Sequence, residues 1–151
     1  MEGLEAAIVS LISQHPTLPA KTKVEAWPDG SIESGRGPLG SAVIRVLYVG
    51  VKLRSDSHSP GRSISHGPLY VDAYHFVKSL RTHASAYGLL RATQDALTAQ
   101  RPDGLASGYD YQGGAGLAMV DERILSDGRQ DGLWQWAQRF EVPVTYTKRI
   151  T

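Results

Sequence analysis

Leu133 to Thr147 alternates with a period of two. One parity carries Trp134, Trp136, Phe140, Val142, Val144 and Tyr146, and the other carries Gln135, Arg139, Glu141, Thr145 and Thr147. Successive side chains of an extended strand point to opposite faces, so this run requires a long strand with one apolar and one polar side. The apolar side must be covered, which commits the chain to a sheet packed under other elements. Two residues depart from the pattern. Gln138 interrupts the apolar parity, and Pro143 has no amide hydrogen for a ladder, which predicts an edge strand or a bulge at that point.

The remaining elements follow from similar patterns. Leu4, Ile8, Leu11 and Ile12 form one helical stripe, stopped by His15-Pro16. Thr22 to Trp27 reads as a short strand closed by Pro28-Asp29-Gly30, and the Gly- and Ser-rich Ser31 to Ser41 reads as a loop. Ala42 to Leu53 is almost uniformly apolar, as in a central strand covered on both faces. Arg54 to Pro68 is too polar and too rich in Ser, Gly and Pro for a packed element, and predicts a long flexible loop. Leu69 to Leu80 returns to a strand that pairs with Ala42–Leu53. Ala84 to Gln100 is a second helix with Tyr87, Leu90 and Leu97 on one face, ended by Arg101-Pro102-Asp103-Gly104. A glycine-rich segment from Ser107 to Gly114 precedes a strand at Leu117 to Leu125, and Asp127-Gly128 and Asp131-Gly132 supply turns. The fold class expected is α+β, with two layers: a mostly antiparallel sheet of four to five strands and two helices on one face.

A chain of 151 residues suits one domain spanning 1–151. It has no cysteine, which excludes disulfides, thiolate metal sites and a cysteine nucleophile, and fits a reducing compartment. Lys+Arg 16 against Asp+Glu 15 leaves a net charge of +1, so no global field marks a nucleic-acid or membrane binder. No apolar run is long enough to span a bilayer. The acidic start, Met1-Glu2-Gly3-Leu4-Glu5, is unlike a signal peptide, which predicts synthesis in the cytoplasm.

Candidates for chemistry are few. Gly113-Gly114-Ala115-Gly116 has the glycines of a phosphate cradle but lacks the following Lys-Ser/Thr, and a strand is expected next. Asp56, Ser57, His58 and His66 hold the residue types of a hydrolytic triad, but local adjacency does not build one. His58, His66, His75 and Asp72 could ligate a metal, yet their spacing matches no known pattern. Asp121, Glu122 and Asp127 read as a solvated hairpin, and Trp134 and Trp136 as core more than as a platform for bases or sugars. No catalytic, cofactor-binding or metal-ligating residue is assigned.

Charge placement is more informative. Lys52, Arg54, His58, Arg62 and His66 make the 54–68 segment locally basic, a candidate surface for a partner or for DNA. Asp121, Glu122, Asp127 and Asp131 form a candidate acidic hairpin between subunits. Opposite patches on one chain can meet head to tail, and such a contact closes into a ring when the rotation permits.

The order of elements resembles the tail-terminator proteins of tailed bacteriophages, particularly of Mu-like phages. The residues that carry the resemblance are the helix Leu4-Glu5-Ala6-Ala7-Ile8-Val9-Ser10-Leu11-Ile12, the apolar strand Ala42–Leu53, the polar loop, and the strand Tyr70–Leu80. The helix Ala86-Tyr87-Gly88-Leu89-Leu90-Arg91-Ala92 and the late Trp134-Gln135-Trp136 strand complete it. The resemblance implies a non-enzymatic virion protein that forms a hexameric ring on the tail tube, stops its polymerisation and provides the head-docking surface. The partners implied are further copies of the chain, the tail tube protein and the head–tail connector, with phage DNA passing through the lumen, no membrane and no cofactor. Two other readings are a head–tail connector or head-completion protein, and a small hydrolase or nucleotide-binding enzyme. A third is a nucleic-acid-binding module.

Overall fold

A computed structural model describes residues 1–28, 42–78, 84–127 and 132–149. The expected Ser31–Ser41 loop, the Asp29-Gly30 turn, the Ser79-Leu80 strand end, Gly128 and Asp131 lie outside the described residues. In chain order the elements are α1 (Glu2–Ser13), β1 (Thr22–Ala26), β2 (Ala42–Val51), β3 (Arg54–Ser59), β4 (Arg62–Lys78), α2 (Ala84–Leu97), β5 (Tyr109–Tyr111), β6 (Ala118–Asp127) and β7 (Leu133–Arg149). The fold is mixed α+β with two helices and a seven-stranded sheet.

The sheet is organised around β4 and β7. Each has 17 residues, and they pair antiparallel along their full length, from Arg62↔Arg149 to Lys78↔Leu133. At the usual rise per residue this ladder is roughly 55 Å long. Two shorter strands in succession cover the outer side of each. Antiparallel β2 and then β3 line β4, while β6 and then β5 line β7. β1 joins the edge beyond β2 in parallel.

Pro68 and Pro143 face each other across this central pair. Pro143 is therefore neither on an edge strand nor at a bulge, as its missing amide hydrogen suggested. It sits where β6 gives way to β5, and its carbonyl accepts the Gln112 amide at 3.0 Å. Pro68 occupies the matching point between β2 and β3, accepting from the Lys52 amide at 3.0 Å. Both ring nitrogens face gaps where no donor is required.

The strand count exceeds the expected four to five, and the largest single correction is Arg54–Pro68. That segment is no flexible loop: it forms β3 and the Arg62–Pro68 part of β4, joined at Pro60-Gly61, where Gly61 has φ +88°. Its strands are polar on both faces, so no apolar alternation reveals them; their backbone groups pair with each other and with β7. The three-residue β5 also escaped detection, being too short for a pattern.

The core lies between the helices and one face of the sheet. Leu4, Ile8 and Ile12 of α1 and Leu89, Leu90 and Leu97 of α2 pack with Ile44, Val46, Leu69, Val71, Phe140, Val142 and Val144. Tyr87, expected on the apolar face of α2, is instead 55% exposed. That helix ends at Leu97 rather than Gln100, because Ala99 turns to φ +65° and its amide bonds the Leu117 carbonyl.

Gly67 is required where the Lys52–Leu53 link crosses β4. A Cβ there would lie 1.8 Å from the Lys52 carbonyl oxygen, which is backbone and cannot rotate away. Gly67→Ala is expected to lower unfolding stability by about 3 kcal/mol, the upper end for overpacking, as measured by urea denaturation.

Candidate functional site

Beyond the two prolines the sheet continues as an arm made of β3, the start of β4 and the end of β7. The register sets Arg54 opposite His66, Arg62 opposite Arg149, and Ser63 opposite Lys148. Directly opposed residues share a face, so Arg54, His66, Arg62 and Arg149 project on one side of the arm. Lys52 is exposed at the base, and Arg54, Arg62, Lys148 and Arg149 are exposed along the arm. His58 lies on β3, but its side chain is outside the described residues. Arg54, His66 and Arg62 of the basic segment thus share a face of the arm with Arg149 from the end of β7, while Lys148, opposite Ser63, projects from the other face. The contribution of β7 was not visible in sequence because about ninety residues separate Arg149 from Arg62; only the antiparallel register brings them together.

The three acids among the described residues do not form one matching surface. Asp121 is ion-paired to Arg123 at 3.0 Å. Glu122 accepts a hydrogen bond from Gln138 Nε2 at 2.8 Å. Asp127 stands opposite Trp134 near the far end of the ladder, and Asp131 is outside the described residues. The alternation of β6 divides them: Asp121 shares the face of Arg139, and Glu122 shares that of Gln138. What β6 does present is apolar. Val120, Ile124 and Leu125 are 47%, 51% and 46% exposed, and Val120 and Leu125 sit at register shifts where an extra residue leaves the ladder.

Away from the helices, a charged and aromatic strip crosses the sheet. Arg45, nearly buried, donates to Glu25 at 2.8 Å, and Lys23 approaches the same carboxylate at 3.1 Å. Burial works against ionisation of Glu25, but hydrogen bonds from Arg45 and Lys23 outweigh it and hold its carboxyl below the usual range. Trp27 packs edge-on to Tyr74 at 5.0 Å, and the Arg45 guanidinium lies over Phe76 at 5.5 Å. Arg139 forms a two-pronged bond to buried Asp72 at 2.8 and 2.9 Å, which raises its own pKa further.

The opposite face holds a buried polar network. Gln138, the residue that broke the apolar parity, donates through Nε2 to the Leu90 carbonyl at 3.0 Å and to Glu122. Its Oε1 therefore faces His75 Nε2 at 2.9 Å as acceptor, so that ring nitrogen carries the proton. Burial pushes the fully enclosed His75 down to about 4, against the opposing pull of its bond to Gln138.

The described enzyme-like candidates come apart in three dimensions, and the side chains of Asp56, Ser57 and His58 lie outside the described residues. His75 faces the core, whereas Asp72 and His66 project from the other side of β4, and Asp72 is held by Arg139. Among the described residues no group of three or more His, Asp or Glu is placed to hold a metal ion. Gly116 lies where a Cβ would meet the Ala99 backbone at 2.3 Å, so that glycine serves a close chain approach, and β6 rather than a helix follows. Trp134 and Trp136 stack on each other at 5.5 Å and 16°, with Trp136 in the core. A groove of about 350 Å³ between α1 and residues 100–103 is lined by Leu11, Gln14, Arg101 and Asp103 among others.

No protein-family model matches the chain, and no curated protein matches it. In three dimensions the fold is similar to that of a chain in the virion of a native gene transfer agent particle. That likeness has a TM-score of 0.54 at 14% identity, over 96% of this chain and 99% of the other.

Proposed function

We propose that this protein is a structural component of a phage-like particle that caps the tail tube as a homo-hexameric ring. The ring stops tube polymerisation and forms the surface on which the head docks. The observation that carries this reading is the likeness to a virion chain, which spans nearly all of both chains and so concerns the whole domain. The order of elements that resembles tail terminators supports the finer assignment. The protein then resides at the head-proximal end of the tail, with the tube protein and the head–tail connector as neighbours.

The chemistry of such a protein is interface chemistry. One face of a closed ring matches the last ring of the tube and covers its growing surface; the other differs and cannot seed another ring. For the contact between copies the proposal uses β6, whose Val120, Ile124 and Leu125 leave a row of aliphatic side chains in water. Its bulges break the backbone ladder, so the contact is made by side chains rather than by adding a strand.

Native mass spectrometry over a concentration series tests both points. A species of about 98 kDa, six copies of 16.4 kDa, is the expected result. Val120→Ser/Ile124→Ser/Leu125→Ser is expected to leave single chains with an unchanged thermal midpoint. A twelvefold ring would replace the terminator reading with that of a connector. A single chain at every concentration, together with failure to arrest elongation of preformed tubes, would overturn it.

A further inference from the structure

We infer that the end of the arm is a binding surface for the phosphate backbone of duplex nucleic acid, read without regard to sequence, through Arg54, Arg62 and Arg149. This inference does not rest on the ring: a single chain carries the complete surface.

The first observation is a juxtaposition that costs stability. Arg62 and Arg149 are directly opposed, which brings their Cα atoms within about 5 Å, and like charges directly opposed on a sheet are destabilising. Among the described residues none of Arg54, Arg62 and Arg149 makes an ion pair, although the same sheet pairs Arg45, Arg123 and Arg139 with carboxylates. Asp56 lies on β3 with its side chain outside the described residues, and the described acid on this face of the arm is Asp110, opposite Thr145. It is four residues along β7 from Arg149, or about 13 Å, beyond the screening length in physiological salt. A repulsive cluster that no described side chain neutralises is offset by a polyanion that joins it.

The second observation distinguishes the kind of polyanion. Protein interfaces are anchored by buried aromatic or large aliphatic side chains. Among the described residues the exposed large hydrophobics are Val49, Tyr87, Val120, Ile124 and Leu125, none of them on the arm. The arm offers guanidinium and ammonium groups in a sequence interspersed with Ser55, Ser57, Ser59, Ser63 and Ser65. Arginine, lysine and serine are the residue types that bond phosphate oxygens and set register without reading bases. The Arg62/Arg149 pair and Arg54 are four residues apart along the ladder, about 13 Å, which is of the order of the width of the duplex major groove. The two sets can therefore reach phosphates of both strands.

The test is fluorescence anisotropy of a short labelled DNA duplex of arbitrary sequence, titrated with the full chain between about 50 and 200 mM salt. Three neutralised phosphates predict that log K falls against log salt with a slope of about −2.7. Arg62→Gln/Arg149→Gln is expected to weaken binding at least tenfold at the low-salt end and to make the slope shallower by about 2. Because the change also relieves like-charge repulsion, its thermal midpoint is expected to hold or rise, which separates lost binding from lost folding. Arg91→Gln, on α2 and ion-paired to Asp95, is expected to bind as the parent does. Absence of binding at low salt, or equal binding by the double variant, overturns the inference. So does poly-glutamate that binds as tightly as the duplex with the same dependence on Arg62 and Arg149, a result that assigns the arm to an acidic protein. These outcomes are independent of the native mass, so failure here and failure of the ring reading are distinguishable.

Discussion

Replacing Gln138 by alanine is expected to destabilise the fold by about 4 kcal/mol, within the range for truncating a large buried side chain and leaving a donor unpaired. Gln138 is fully buried, and its amide joins three elements: His75 on β4, Leu90 on α2 and Glu122 on β6. The carboxylate of Glu122 is exposed and regains water. The Leu90 carbonyl keeps its place in the helix. His75 Nε2 has no such recourse, because the ring is sealed from solvent and its Nδ1 is already without a partner. Gln138→Met separates the contributions: it fills the volume but cannot accept, and is expected to cost about 2 kcal/mol, as for one buried unsatisfied group. Urea denaturation at neutral pH measures both. A loss below about 1 kcal/mol for the alanine variant would show that α2 and β6 are held without this bridge.

The same histidine makes stability depend on pH. His75 has its pKa lowered from 6.5 to about 4, so between these values the unfolded chain binds a proton that the folded chain refuses. Its contribution is fully present above pH 6.5 and is lost as pH falls toward 4, where the folded state begins to take up the proton as well. At about 1.4 kcal/mol per pH unit, the loss over this window is about 3 kcal/mol. Glu25 is also stabilising when ionised, but its effect declines only below its ordinary value of 4.5. Among the described residues the interval from 4.5 to 6.5 therefore belongs chiefly to His75. Denaturation midpoints across that interval are expected to fall steadily in the parent and to flatten in His75→Leu, whatever that variant loses in absolute stability. An unflattened profile would place the protonating group elsewhere.

Residues whose pattern reports burial declared their structure in the sequence. Leu4, Ile8 and Ile12 at helical spacing, the apolar run from Ala42, and the strict alternation from Trp134 to Tyr146 led to α1, β2 and β7 and to the α+β class. The pairing of β2 with the strand that begins near Leu69 followed from their order. The interruption at Gln138 was visible too, but not its meaning: the amide has partners on β4, α2 and β6, and which side chains meet there is a matter of register.

The tertiary structure decided the rest. Arg54–Pro68 lacks the apolar face by which a strand is recognised, and it is extended because β7 runs on to Arg149 and supplies backbone partners. Pro143 looked like an edge marker and proved to be internal, tolerated because Pro68 lies opposite and the flanking strands change over at that level. The candidate surface was half legible. Local composition marked Lys52, Arg54 and Arg62 as a basic segment, whereas Arg149 joined it only through antiparallel pairing over a long separation. The acidic hairpin met the opposite outcome, its neighbouring carboxylates being divided between two faces. Periodicity records which side of an element is buried, so the sequence by itself determined the class of fold and its core. Contacts between distant segments depend on register, which no local pattern encodes, and the arm and the Gln138 network exist only at that level.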